Sequence, residues 1–430
     1  MQGPRLARSH CNQELAAKWR CLGNRVKKPA ILFVGASYVL AIHRKKLAAL
    51  ADQFEVTCAT SDQIDQQGYG WPTEGSSFGR QEEPVDVRRF SEWPKGAKRT
   101  RFIYRRLGRL FREKQFDFVI ADSEPWGFVK WQTWVLTRTT QRGALFGEFT
   151  AENVKRSGLK GLILSLIYKV AMRVDDFTIA LNQSCRRILI EYGAKPELNL
   201  VAAQFGIDPA QFAPVDQTTK ANLRTTLGLR SEAFVIGYCG RFVREKGLLK
   251  IVEAVDAIRE RLGDRKVHLA FLGTGPLEKD LRVLSGDRPW FHLLKARPPE
   301  QIPVFMQAID LFILASEPVN EAGRVNEEQF GLVLIEAMAC GILAIGSTCG
   351  AIPEVIGDDR AVFPHSSSAA IAATLDAFIQ DPGLSQSVAE GQYNRVLERY
   401  TYEAVARTYA DFVFRVQGIL EWRRLQRPGS

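Results

Sequence analysis

The chain of 430 residues contains no apolar run near the roughly 20 residues that a membrane-spanning helix requires. The longest candidate, Gly161 to Met172, is short and carries Lys169. The first 28 residues hold scattered Arg and Lys but no apolar stretch before a small-residue cleavage site, so no secretory signal is expected. Seven cysteines, at 11, 21, 58, 185, 239, 340 and 349, are odd in number and form no Cys-x-x-Cys pair. This spacing argues against a disulfide framework and against a zinc site, leaving reduced thiols and a cytoplasmic location as the expectation. Histidine is scarce, and His10, His268, His292 and His365 are too scattered to suggest a metal or a triad.

What the chain does have is material for cores, with 46% of its residues hydrophobic and 25% charged. Its length suggests two or three domains. The net charge of +10 is uneven, because residues 1 to 213 hold 33 Lys+Arg against 21 Asp+Glu, whereas the remainder holds 25 against 27. A local positive field of this kind attracts nucleic acid, anionic lipid or a phosphorylated substrate. No recognised nucleic-acid module accompanies the charge, so nucleic acid is the weakest of the three.

Apolar, β-branched segments alternate twice with amphipathic ones, the pattern of βα units on parallel sheets. The first series predicts strands at Ala30 to Gly35, Phe54 to Thr60, Phe116 to Ala121, Ala144 to Phe149, Phe177 to Leu181 and Leu198 to Ala203. The second predicts strands at Phe234 to Cys239, Val267 to Leu272, Trp290 to Leu294, Leu311 to Ala315 and Leu343 to Gly346, with a helix at Leu332 to Ala339 among others. The fold class is therefore α/β, with two doubly wound Rossmann-like domains. Its parts are an N-terminal extension (1–28), a first domain (29–213), a second domain (221–400) and a C-terminal helix (401–430) that crosses back to the first. The boundary is placed in the polar stretch Pro214 to Lys220, and Gly68 to Pro94 reads as a loop without a clear period. Ligands of such sheets bind at the carboxyl ends of strands, which places a site in the cleft between the domains.

The most informative stretch is Glu328-Gln-Phe-Gly-Leu-Val-Leu-Ile-Glu336, followed by Ala-Met-Ala-Cys-Gly341. If it were helical throughout, its two carboxylates would stand about 12 Å apart along the axis, too far to act on one bond but suited to the two ends of a long ligand. The amides of Gly331, Leu332 and Val333 would be first-turn donors suited to a diphosphate. An amphipathic helix with a solvated acid at each end fits the same spacing. A second cluster follows the strand Phe234 to Cys239, where Gly240, Arg241, Arg244, Lys246 and Gly247 put three cations and two glycines into one loop. Arg supplies a planar fork, Lys a point charge and Gly close backbone approach, equipment for a diphosphate. Gly273-Thr274-Gly275-Pro276 follows another strand but lacks the third glycine of a dinucleotide fingerprint.

Taken in order, Gly240-Arg241, Glu245-Lys246-Gly247, Gly273-Thr274-Gly275, Glu328-x7-Glu336 and Gly350-Ala-Ile-Pro-Glu354 resemble the retaining glycosyltransferases of family 4. The resemblance is specific in the second half and looser before Ala203. It implies a GT-B fold, a nucleoside diphosphate sugar donor, a glycan or lipid-linked acceptor, retention of configuration and no cofactor or metal. It also implies that Arg241 and Lys246 hold the diphosphate, that Glu336 binds ribose hydroxyls and that Glu328 holds hydroxyls of the sugar. Phe330, Gly331, Leu332 and Val333 would line the sugar and phosphates through their amides, with Gly240 and Gly273 beside them. The base would lie near Lys295-Ala296-Arg297. On the acceptor side, Gly35, Ser123 and Glu124 fall on matching positions, although the family's histidine before Glu-Pro is here Ser123. His43, in the basic run His43-Arg44-Lys45-Lys46, does not align with that histidine and is expected at the surface. The segment Glu317 to Glu327 is longer than in compact members, and no Asp-x-Asp occurs.

Lys95 to Lys114 contains nine Lys or Arg and one acid, interleaved with Phe102, Ile103, Tyr104, Leu107, Leu110 and Phe111. It reads either as a basic amphipathic helix for an anionic membrane on the inner face or as an ordinary helix burying its apolar stripe. Transfer of a sugar in polysaccharide or glycolipid assembly is the leading reading. A nucleotide-sugar epimerase and a non-catalytic nucleotide-sugar binding or membrane scaffold protein are the alternatives.

Overall fold

The computed structural model describes residues 27–62, 84–95, 101–155, 158–262, 267–321 and 324–426. Two parallel sheets organise them. The first runs Asp86–Phe90, Glu55–Ser61, Ala30–Val34, Phe118–Asp122, Leu145–Thr150, Phe177–Ala180, Asn199–Val201. The second runs Phe291–Lys295, Val267–Thr274, Phe234–Arg241, Leu311–Leu314, Leu343–Ser347, Val362–Phe363. Central strands such as Ile31 to Val34 and Leu311 to Leu314 are buried along their whole length, because helices cover both faces of a parallel sheet. Both sheets are doubly wound, as the alternation of segments predicts.

Four expectations need correction. Asp86–Phe90, inside the stretch read as a loop, is the edge strand of the first sheet, pairing Thr57 with Asp86 and Ser61 with Phe90. An edge strand need not be apolar, and its charges are partnered: Asp86 accepts from Arg88 at 2.8 Å and pairs with Lys114 at 2.6 Å. The rest of the loop, residues 63–83, lies outside the described residues.

The boundary also shifts. Gln217–Leu227 is a helix whose N-cap, Asp216, accepts the Thr219 amide at 2.8 Å. Lys220 reaches Asp310 at 2.9 Å, and Arg224 donates to the Ala308 carbonyl at 2.8 Å, so this helix packs on the second sheet. Its Thr-rich first turn looks like a linker in sequence because a side-chain cap, not apolar periodicity, holds it.

The basic segment is not one amphipathic helix. Ile103–Tyr104 pairs antiparallel with Glu92–Trp93, and only Leu107–Glu113 is helical. Leu107, Leu110 and Phe111 are buried against the first sheet with Phe102 and Tyr104, so this apolar stripe is already covered. Residues 96–100 lie outside the described residues. The run that holds His43, finally, is not the surface run its expected exposure implied, for Arg44 and Lys46 are fully buried. Arg44 donates to the carbonyls of Tyr38 and Val39 at 2.7 and 3.0 Å, while the Lys46 ammonium lies 4.1 Å from the Tyr409 ring centre. His43 is half-buried and stacks on Phe205.

Tyr409 belongs to the helix Tyr402–Leu425, which packs on the first domain through Phe412 on Phe177 and Phe414 on Phe54 and Phe118. The chain thus passes between domains twice, and the two crossings are bonded together. Ile207 donates its amide to Tyr400 at 2.8 Å and accepts that of Tyr402 at 3.2 Å.

Candidate functional site

The carboxyl ends of the second sheet's central strands carry most of the matched residues. The strand Phe234–Arg241 continues through the 3-10 turn Arg244–Lys246, and Leu311–Leu314 continues to Ser316. Here Lys246 and Glu328 form an ion pair, and Ser316 donates its hydroxyl to the same Glu328 oxygen at 2.8 Å. The two charged side chains are largely shielded, at 18% and 15% exposure, so the pair is screened less than a surface one. Ser316 was not singled out in the sequence, because no motif spacing marks a lone serine after an apolar strand.

Glu328 is not helical. The helix begins at Leu332, with Gly331 in the left-handed region as its N-cap, so an axial distance between Glu328 and Glu336 computed on a continuous helix does not apply. The first bond of this turn runs from the Leu334 amide to the Gly331 carbonyl at 2.8 Å, leaving the Gly331, Leu332 and Val333 amides ahead of it at the terminus. Backbone contacts fix Glu328 instead. The Ala351 amide donates to its carbonyl at 2.9 Å, and at Gly350, with φ +58, an added Cβ would collide with that same carbonyl. This explains the glycine of Gly350-Ala-Ile-Pro-Glu354 in physical terms.

Glu336 sits one turn into the helix and is half-buried. Desolvation pushes its carboxyl up to about 8, and the thiols of Cys239 and Cys340 are raised by burial and, to a lesser degree, by the Glu336 carboxylate. Glu336 thus lies beside the end of the strand that leads into Gly240 and Arg241. Gly240 and Gly273 are register partners on adjacent strands, where an added Cβ at Gly273 would collide with the Gly240 carbonyl. Arg241 stands apart from the Lys246–Glu328 pair, with its side chain 69% exposed and 3.7 Å from Glu245. Arg297 is placed at the sheet's outer strand, just beyond Lys295, the register partner of Gly273, and donates to Gln301 at 3.4 Å. The Phe330 ring turns toward Tyr400, packing edge-on at 5.7 Å. That ring borders a cavity of about 410 Å³ shared by the two domains, which Asn182, Glu354 and Arg395 also line. Within Glu317 to Glu327, Val319–Glu321 and Arg324–Asn326 form a small antiparallel ladder.

The first domain presents its own strand ends. Gly35 packs so closely on Asp122 that an added Cβ would lie 2.7 Å from the Asp122 Cβ. Asp122, which sequence reading missed, accepts from Ser37 at 2.8 Å and from Gln204 at 2.9 Å. Ser123 lies under Gly127, where its hydroxyl would meet an added Cβ. Glu124 is hydrogen-bonded to the Thr150 hydroxyl and accepts the Ala151 amide at 3.3 Å. Burial outweighs those bonds and pushes its carboxyl up to about 7. The segment after Thr150 reaches the second domain, where Gln329 donates to the Ala151 carbonyl at 3.1 Å and Asn153 approaches the Glu328 carbonyl at 3.5 Å. Asn182 donates to the Gln329 carbonyl at 2.7 Å, and Glu354 accepts the Gln183 amide at 2.9 Å. Elsewhere, His268 and His292, read as scattered, pair at 2.9 Å on adjacent strands.

Two Rossmann-like domains facing each other define the GT-B fold. Solved structures agree on the fold: HepE of Anabaena, a structure in complex with UDP, superimposes with a TM-score of 0.64 at 18% identity, covering 90% of this chain and 99% of that one. A glycosyltransferase from Rickettsia africae gives 0.66 at 15% identity, covering 91% and 99%.

Residues 219–395 match the family model described as glycosyl transferases group 1. Among curated relatives, a D-inositol 3-phosphate glycosyltransferase of Corynebacterium aurimucosum is 25% identical, covering 54% of this chain and 55% of its own. A GDP-mannose-dependent monoacylated phosphatidylinositol monomannoside mannosyltransferase of Corynebacterium glutamicum is 27% identical, covering 44% and 48%. The chain thus spans about half the length of the curated relatives it matches.

Proposed function

We propose that the protein transfers a sugar from a nucleoside diphosphate sugar, bound on the second domain, to an acceptor hydroxyl presented by the first. The observation that carries this reading is the Lys246–Glu328–Ser316 cluster beside the Gly331 helix terminus. A carboxylate for sugar hydroxyls and an ammonium for diphosphate oxygens meet where a sugar joins its leaving group. The glycosyltransferases among the relatives and the UDP complex of a structural neighbour support the same donor class. Arg241, at the mouth, would add a second cation to the diphosphate, and Glu336 would take the ribose hydroxyls, with the base toward Arg297.

In this reading the bond from the anomeric carbon to the diphosphate breaks as the acceptor oxygen bonds to the same face, and the acceptor proton passes to the departing phosphate oxygen. The configuration is retained. Lys246 and the amides at Gly331 to Val333 stabilise the charge that develops on that oxygen, which lowers the barrier without requiring a metal. Glu124 and its neighbours line the acceptor side.

A thermal-shift screen against UDP, GDP, ADP and their sugar conjugates tests the donor assignment, since selective binding stabilises the folded state by mass action. A shift with one nucleotide that vanishes in Glu336→Ala is the expected result. No shift with any of them would defeat the reading of a preformed donor site. Product analysis with and without acceptor then separates transfer from epimerisation, and EDTA tests the metal-free mechanism.

A further inference from the structure

The helix Gly158–Val174 is apolar on two sides. One side is ordinary core, with Tyr168, Ala171 and Met172 buried under Trp126 and Trp131. The other side faces outward. Leu159, Leu162, Ile163 and Leu166 are 76%, 69%, 55% and 65% exposed, and Val170 continues the row at 40%. At 3.6 residues per turn these five side chains fall in one strip about 100° wide. Soluble helices normally show a polar face there, so the strip needs an occupant.

Charge identifies it. The helix contains Lys160, Lys169 and Arg173 and no acid, and all three cations are exposed. On the same wheel Lys160 and Lys169 stand on opposite edges of the apolar strip, and Arg173 closes its carboxyl end. Long basic side chains on the edges of an apolar strip suit a bilayer surface, where the strip enters the acyl boundary and the ammonium groups reach up to the headgroups. A second copy of the same face would bring these cations against their own equivalents. The chain's first 26 residues, with five Lys or Arg and one acid, have the same sign and are equally poor partners.

We infer that the outer face of Gly158–Val174 docks the first domain on an anionic membrane surface. The inference goes beyond the transfer reading and does not depend on it. No helix among the described residues is long and apolar enough to cross a membrane, so the contact is peripheral. The helix follows the segment Ala151 to Lys155, whose beginning touches Gln329 in the second domain. A docked helix therefore holds the cleft close to the membrane plane.

Co-sedimentation of the full chain with vesicles of phosphatidylcholine alone and with 30% phosphatidylglycerol (composition chosen at about physiological anionic content) tests this. Binding should appear on the anionic vesicles, weaken with salt, and fall about tenfold or more in Leu162→Asp/Leu166→Asp and in Lys160→Glu/Lys169→Glu. These side chains are exposed, and circular dichroism checks that both variants fold. A Leu162→Trp variant adds an independent readout, since quenching of its emission by brominated lipid reports insertion at this face. Equal binding to both vesicle types, unchanged binding in the double variants, or absence of binding would each overturn the inference. So would a wild-type dimer that the leucine variant makes monomeric without any effect of lipid, because the strip would then be a self-association face.

Discussion

The two domains hide their charges differently. In the second, the charged residues that matter lie at the carboxyl edge of the sheet, within short loops, and the Lys246–Glu328 pair stays close to the cleft. In the first, charges are sunk into the body of the domain. Lys130 is fully buried 3.1 Å from Asp175 and 3.7 Å from Glu148, and Lys46 is buried among Phe33, Tyr38 and Tyr409. Burial lowers Lys46 to about 7, raises Glu148, and raises Asp175 to about 6 despite Lys130 beside it. Local charge at a strand end is available to a ligand, whereas charge buried with its own partners holds a scaffold together.

The sharpest way to break this contrast is to remove one buried partner. Lys130→Ala leaves Glu148 and Asp175 without their cation, and stability should fall by about 3–5 kcal/mol in chemical denaturation. Lys130→Met with Glu148→Gln and Asp175→Asn removes the charges together and should recover much of that loss. If Lys130→Ala melts like wild type, the buried triad is not structural.

Lys246→Ala should do the opposite, lowering turnover by about 10² or more while the fold survives, by analogy with the loss of a preorganised charge-stabilising group. Lys246→Arg should recover part of the rate. A wild-type rate for Lys246→Ala would remove the cluster from the chemistry. A loss of stability as large as that of Lys130→Ala would erase the distinction between the two domains.

This contrast also explains what the sequence made legible. The helix Leu332–Ala339 and the central strands were readable because parallel sheets demand continuous apolar runs and the helix start is marked by Gly331. Glu328, Lys246 and Gly350 were readable because each belongs to a short motif. Ser316 and Asp122 were not, since each acts through partners far away in the chain, Glu328 and Gln204. The basic run around His43 was misleading, because a run of cations suggests a surface until the carbonyls around Arg44 and the rings around Lys46 are found. The outer strip of Gly158–Val174 was visible only as a short apolar run, for the sequence does not say which of its two apolar sides faces the core.

The smallest expected effect concerns Glu336, a carboxyl of the second domain that shares the first domain's desolvated character. Its pKa near 8 in the folded free protein, against an ordinary 4.5, means that the native state holds one more proton across that window. The sign follows directly: this group's contribution to stability is fully present below about 4.5 and is lost as pH rises through 8. Hydroxyls that donate to the carboxylate favour its ionised form. Donor binding at neutral pH should therefore release a proton, and affinity for a nucleoside diphosphate sugar should rise by up to about tenfold per pH unit before levelling above 8. Titration calorimetry in buffers of different ionisation enthalpy, from pH 6.5 to 8.5, measures both the proton and the slope. In Glu336→Gln both should vanish while weak binding persists. A pH-independent affinity in wild type would place the ribose away from Glu336, and the donor half would then keep its buried acid for packing alone.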